Sequence, residues 1–282
     1  ELVGGKKEPY DLVAVATGVN SNFIRMLDNL PVNFEAPRTT RGYICEFRLG
    51  AQEMLDVLGK SVHVFLLNIP RFEFAAIIPK GEFATAVMVG DDLDQELVHA
   101  FLRDPVVQRV FPTASAACVC SCSPLINLGA RERPYGDRIV MVGDSGVTRL
   151  YKDGIGASYR TAKAAATTAV FQGVSRKAFD KHFWPACKSI QNDNSVGKVM
   201  FASNAIVKHS RTTRRAILRM AQQEQYKAGS RPHMSSLLWN MFTGSAPYTE
   251  MFRGTFHPGF ISRLVLNLAT ALWPENKRIK EA

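Results

Sequence analysis

The chain has no run of the ~18–20 apolar residues that a membrane-spanning helix requires, and its opening residues, ELVGGKKEPY, contain no signal-peptide core. Its five cysteines are an odd number without the spacing of a secreted scaffold. That argues against a disulfide framework and for a reducing compartment, by default the cytoplasm. No G-x-G-x-x-G run occurs, so these residues hold no dinucleotide phosphate loop. His63, His99, His182, His209, His233 and His257 show neither metal-motif spacing nor a Ser or Cys elbow beside them, so no metal site and no nucleophile–base pair is legible. Acidic residues are scarce in one half: residues 149–282 carry 21 Lys/Arg against 7 Asp/Glu, whereas residues 1–148 carry 14 against 18. The basic half must face something anionic or stay solvated.

With 282 residues, 46% of them apolar, the chain can bury one large core or two ordinary ones. Tyr10 to Ala16, YDLVAVA, is an apolar run stopped by Thr17-Gly18 and predicts a buried parallel-type strand. From Gly42 the pattern changes to extended segments, GYICEFRLG, VHVFLLNIP and FEFAAIIPKGEFATAVMVG. The centre of the last, Pro79-Lys80-Gly81-Glu82, predicts a hairpin turn. Asp91 to Asp104 carries Leu93, Leu97, Ala100 and Phe101 at helical spacing, and an alternating run follows from Ala116 to Ser123. Beyond about residue 157 helices dominate, with Asn194-Ser195 placed as a cap before GKVMFASNAIVKHSRTTRRAILRMAQQEQ.

Between these blocks stands IVMVGDSGVTRLYKDGIGASYRTAKAAATTAVFQ, residues 139–172. A strand ending at Gly143-Asp144 leaves a carboxylate at its carboxyl end, where open α/β sheets bind ligands, and the acid suits sugar or ribityl hydroxyls. Gly154, Ile155 and Gly156 then bring backbone within contact distance of a flat ligand, at the positive end of an Ala-rich helix that Asp153 is placed to cap.

Two strand-then-Gly elements around an antiparallel block resemble the second half of a flavoprotein of the para-hydroxybenzoate hydroxylase fold, most nearly its geranylgeranyl reductase-like branch of FAD-dependent oxidoreductases. YDLVAVATGVNS stands where that family has its Ala-Asp-Gly strand, with Thr17 in place of the Asp. Counting from Gly143, the family's glycine pair falls on Gly154 and Gly156 without a gap, while its Pro, His and Asn positions hold Tyr151, Val147 and Ser158. The resemblance implies an α/β fold: a partial FAD-binding domain (residues 1–22 and 138–175), interrupted by an antiparallel-sheet substrate domain (23–137) and followed by a helical C-terminal region (176–282). It implies FAD as cofactor, held from this chain by Gly18, Gly143, Asp144, Lys152, Gly154, Ile155 and Gly156. Lys152, and more distantly Arg149, would add positive charge beside the flavin ring. It further implies a small apolar or aromatic substrate, isoprenoid-like in the reductase branch, and an electron donor, NAD(P)H or a reduced protein. The N-terminal Rossmann unit with its phosphate loop would lie outside this sequence, as an N-terminally truncated chain would show. The alternative expectation is a non-catalytic, basic membrane-surface or scaffold protein retaining the fold.

Three further features have bland and sharp readings. Cys118, Cys120 and Cys122 alternate along an extended segment, as buried small strand residues or as thiols for metal or redox relay. Lys208, Arg211, Arg214, Arg215 and Arg219 form a solvated helix face or an anion-binding one, and no helix-turn-helix or aromatic platform accompanies them to favour nucleic acid. FISRLVLNLATALW, residues 260–273, places Ile261, Leu264, Val265, Leu268 and Leu272 on one helical side before Lys277, Arg278 and Lys280. Such a helix packs against the protein or lies on an anionic membrane surface, which would make the protein peripheral at the inner membrane face. His182, in KHFWPACK, is expected as a packed helix residue.

Overall fold

The computed structural model describes residues 9–23, 36–112, 118–129, 133–226 and 232–272. In chain order the elements are β1 (Val13–Val15), β2 (Arg38–Arg41), β3 (Tyr43–Arg48), α1 (Ala51–Val57), β4 (His63–Phe65), β5 (Phe72–Lys80), β6 (Phe83–Gly90), α2 (Gln95–Arg103), α3 (Pro105–Val110), β7 (Cys120–Cys122), β8 (Leu125–Gly129), β9 (Tyr135–Gly136) and β10 (Ile139–Met141). Helices follow: α4 (Gly154–Phe171), α5 (Arg176–Ala178), a π-helical turn (Phe179–Phe183), α6 (Trp184–His209), α7 (Arg211–Tyr226), α8 (His233–Thr243), α9 (Tyr248–Thr255) and α10 (Pro258–Leu272). The fold is mixed α/β with an antiparallel sheet and a helical C-terminal region.

Two compact units partition the chain: residues 1–42 with 123–195, and residues 43–122 with 196–282. The first holds the sheet β1-β10-β9. β1 runs parallel to β10, Val13 against Ile139 and Val15 against Met141, and the Val142 amide donates to the Val15 carbonyl at 3.0 Å just past the strand end. Alanine favours the helical state, and its small side chain lets a helix approach closely. Thus Ala157 and Ala165 of α4 pack into a core with Val140, Tyr135, Phe179 and Phe183. Tyr135 meets Phe183 edge-on at 5.9 Å, a geometry that suits the ring quadrupoles.

The second unit holds the antiparallel sheet β4-β5-β6-β3-β7. β5 and β6 form the expected hairpin, closed at Lys80 opposite Phe83, and Gly81 supplies the positive φ of +64° that a two-residue turn demands. One sheet face meets α2 and α3 through Phe65 against Phe101 and Phe47 against Phe111. Phe74 meets Phe201 of α6 and Phe242 of α8.

Residues 36–42 and 123–129 join the first unit because β2 pairs with β8 and the Asn20 side chain bonds both backbone groups of Leu125, at 2.7 and 3.0 Å. Residues from 196 onward group with the sheet because Phe74 gives them an apolar face to cover.

Several local expectations are corrected. Asn194 and Ser195 lie inside α6 and cap nothing, because the Asn194 side chain is taken up by a distant loop. The segment VHVFLLNIP is strand only over His63–Phe65. The helix expected from Asp91 starts at Gln95, where Asp94 accepts from the Leu97 amide as its cap. Cys120 and Cys122 are exposed, not buried, and Cys118 forms a disulfide with Cys45 instead of remaining a free thiol. Residues 116 and 117 of the alternating run lie outside the described residues. His182 is exposed on the π-helical turn rather than packed, since that turn directs Phe179 and Phe183 inward instead. Lys208 is not solvated. It is 8% exposed and its ammonium donates to the Phe72 carbonyl, beside Glu73.

Candidate functional site

All seven expected site residues fall in the first unit. The two strand ends are tied together there: Gly18 takes a φ of +69° and its amide donates to Ser145 Oγ at 2.7 Å. Gly143 takes +59°, and its amide donates to Thr161 Oγ1 of α4 at 2.9 Å. A Cβ on Gly143 would collide with Ser158 Oγ and stand 3.1 Å from Ser158 Cβ, so glycine is what allows β10 and α4 to close on each other. The buried Asn127 of β8 donates to the carbonyls of Asp144 and Gly146, holding the 3-10 turn Gly143–Ser145 in place.

The loop that leads to α4 is braced by charge. Asp153, itself left-handed at φ +54°, caps α4 by accepting from the Gly156 amide at 3.2 Å. Its second oxygen meets Arg149 at 3.2 Å and Arg160 at 3.3 Å, and Arg149 also lies 3.7 Å from Asp193. Arg149 is therefore a buried brace of the loop. A Cβ on Gly156 would collide with the Asp153 carboxylate, so this glycine makes room for the cap.

Lys152 is half-buried, and desolvation lowers its ammonium from 10.5 to about 8. A depressed lysine value means that the folded state resists the charged form, a penalty fully present below pH about 8 and relieved as pH rises toward 10.5. We therefore expect stability to increase with pH across that window, and Lys152→Met to stabilise the protein at pH 7 and flatten the rise. Urea unfolding at several pH values reads both effects.

What remains open is the face of Gly154. Among the described residues, the direction in which its Cβ would project meets only Asp144 Oδ1 at 3.8 Å and Thr148 Oγ1 at 4.0 Å. Asp144 is half-buried at the end of β10. The buried Thr148 hydroxyl has no hydrogen-bond partner among the described residues, although a buried hydroxyl normally finds one. Gly154 and Ile155 begin α4, where amides lack intrahelical acceptors, and the Ile155 side chain is 90% exposed. A carboxylate, an orphan hydroxyl, helix-start amides and a bare aliphatic side chain thus converge within one loop.

Sequence reasoning named Asp144, Gly154, Ile155 and the Asp153 cap, gave Asn194 a capping role it does not have, and missed Thr148 and Asn127. Asn127 was the findable one, since an amide in the middle of LINLG breaks an otherwise apolar strand. Asn194 Oδ1 accepts from the Leu150 amide at 2.9 Å and its Nδ2 donates to the Thr148 carbonyl at 2.8 Å, which secures the loop from α6.

No family model matches the chain, and no curated protein matches it in sequence. Solved structures do match in fold. A tryptophan 6-halogenase from Streptomyces toxytricini superposes with a TM-score of 0.50 at 13% identity, over 93% of this chain and 56% of that one. A flavoprotein/dehydrogenase from Cytophaga hutchinsonii gives 0.49 at 14%, over 92% and 62%. A probable FAD-dependent monooxygenase from Pseudomonas aeruginosa gives 0.45 at 18%, over 68% and 56%. The chain spans little more than half the length of these structures, and at such identities the halogenase match speaks to fold alone.

Proposed function

We propose that this chain contributes the ribityl and ring end of an FAD site in a flavin-dependent oxidoreductase that acts on an apolar isoprenoid-like or aromatic substrate. The observation that carries the reading is the Asp144 carboxylate facing the open side of Gly154 at the start of α4. The residues present fit the cofactor. Asp144 and the partnerless Thr148 hydroxyl suit a polyol chain, the amides of Gly154 and Ile155 suit the electron-rich pyrimidine edge, and exposed Ile155 suits an aromatic plane.

When bound, flavin supplies the hydride or oxygen chemistry itself. This chain's residues bind, orient and polarise: the α4 N-terminus favours negative charge at the ring, Asp153 with Arg149 and Arg160 holds that terminus in position, and Lys152 adds a nearby cation at neutral pH. In this reading residues 1–22 and 138–175 belong to the flavin domain, the antiparallel sheet selects the substrate, and a phosphate-binding portion outside this sequence completes the dinucleotide site. An external reductant, NAD(P)H or a reduced protein, supplies the electrons.

Flavin fluorescence titration of the purified chain tests the proposal. Riboflavin and FAD should quench with similar affinity, because the groups assigned here touch the part the two share. Asp144→Ala should weaken both about tenfold or more, the loss expected of a hydrogen bond to a charged acceptor. No quenching by either flavin, or an undiminished affinity in the folded Asp144→Ala variant, would refute it.

A further inference from the structure

Among the described residues no helix is long and apolar enough to cross a membrane, yet the helices after residue 196 leave large apolar side chains in water. α7, α8 and α10 pack around Met220, Met234 and Phe260, joined by Leu264. α10 turns Phe260 and Asn267 inward, and Asn267 Nδ2 donates to the Arg263 carbonyl and to Gln223 Oε1, at 2.9 and 3.4 Å. Its other side exposes Ile261, Val265 and Leu272, with Val265 at 58%. A helix on a water-facing surface carries polar residues there. The one charged residue of α10, Arg263, lies 3.9 Å from the buried Glu224 of α7, so this outer side has no charge of its own.

The exposed charge of α7 is positive. α7 exposes Arg211 and Arg215, and its single acid, Glu224, is buried, accepting from the Met234 and Ser235 amides at 3.0 and 2.8 Å. Between residues 196 and 272 the only exposed carboxylate is Glu250. In the sequence, Lys277, Arg278 and Lys280 come after α10 together with Glu275 and Glu281, a net charge of +1. Exposed Trp239 of α8 is the residue type that prefers a lipid–water boundary.

We infer that this surface binds an anionic lipid bilayer, with Ile261, Val265 and Leu272 entering the acyl region and Arg211 and Arg215 of α7 attracting anionic headgroups. Aliphatic side chains beside exposed arginines fit that partner. A nucleic acid would be served by the cations and gain nothing from the aliphatic stripe. The inference stands independently of the flavin reading.

Flotation of the full chain with phosphatidylcholine vesicles, with and without phosphatidylserine, tests it. We expect binding to the phosphatidylserine vesicles that weakens in high salt without vanishing. Ile261→Asp with Val265→Asp should lower it about tenfold or more, and Arg211→Gln with Arg215→Gln about fivefold per charge removed. Circular dichroism and the flavin titration should be unchanged in both variants. Absence of flotation, or flotation indifferent to the aspartates, overturns the inference. So does a dimer by light scattering that Val265→Asp dissociates, which would make a second copy the occupant, or retention on single-stranded RNA in place of vesicles.

Discussion

Gly143→Ala should lower the stability of the first unit by about 3 kcal/mol, because two costs coincide at one residue: a non-glycine φ of +59° and a Cβ driven into Ser158. The unit places β10 and α4 in contact through this point, with the Gly143 amide held by Thr161 of the helix. Displacing the helix start moves Gly154 and Ile155 away from Asp144, so flavin affinity should fall along with stability. Ser158→Ala in the same background separates the two costs. It removes the hydroxyl that is struck but leaves the 3.1 Å contact with the Cβ of residue 158 and the φ unchanged, and should recover only part of the loss in urea unfolding. Full recovery would show that the backbone angle costs nothing there, and an unaltered Gly143→Ala protein would show that the β10–α4 contact is looser than the structure has it.

Asn194→Ala should cost about 3 kcal/mol, since it strands a buried amide at Leu150 and a buried carbonyl at Thr148, each worth about 1–3 kcal/mol when left without a partner. The loop so released carries Thr148, Arg149 and Lys152 and leads into the Asp153 cap. Hydrogen exchange at the Leu150 amide should therefore accelerate more than exchange in the antiparallel sheet of the other unit. Equal acceleration in both units would mean that the residue supports global stability and not this loop. Ser195, its neighbour in α6, donates only to the Gln191 carbonyl of its own helix and is exposed, so Ser195→Ala should be nearly silent.

The contrast between Asn194 and Asp153 shows what a sequence can disclose. Asp153 caps the helix it immediately precedes, and its partner amide is three residues away. Spacing alone was enough to place it. Asn194 is equally at home at a cap, but its partners lie 44 and 46 positions back, in the loop it stabilises. The same division runs through the glycines. Gly143 and Gly18 were legible as strand ends. That Gly156 makes room for a carboxylate while Gly154 faces open space depended on where the Asp153 and Asp144 side chains went.

By itself, then, the sequence determined the local conformations: the strand ending at Gly143-Asp144, the hairpin at Gly81, the capped Ala-rich helix, the basic character of the second half. These follow from backbone sterics, helix-start chemistry and hydrophobic period, all of which act over a few residues. Tertiary structure alone decided which segments share a unit, which lysine is buried and which hydroxyl lacks a partner. Lys208 meets Phe72 across 136 positions and Gly18 meets Ser145 across 127. Burial is a property of what the folded chain brings alongside a residue, and no short-range pattern encodes it.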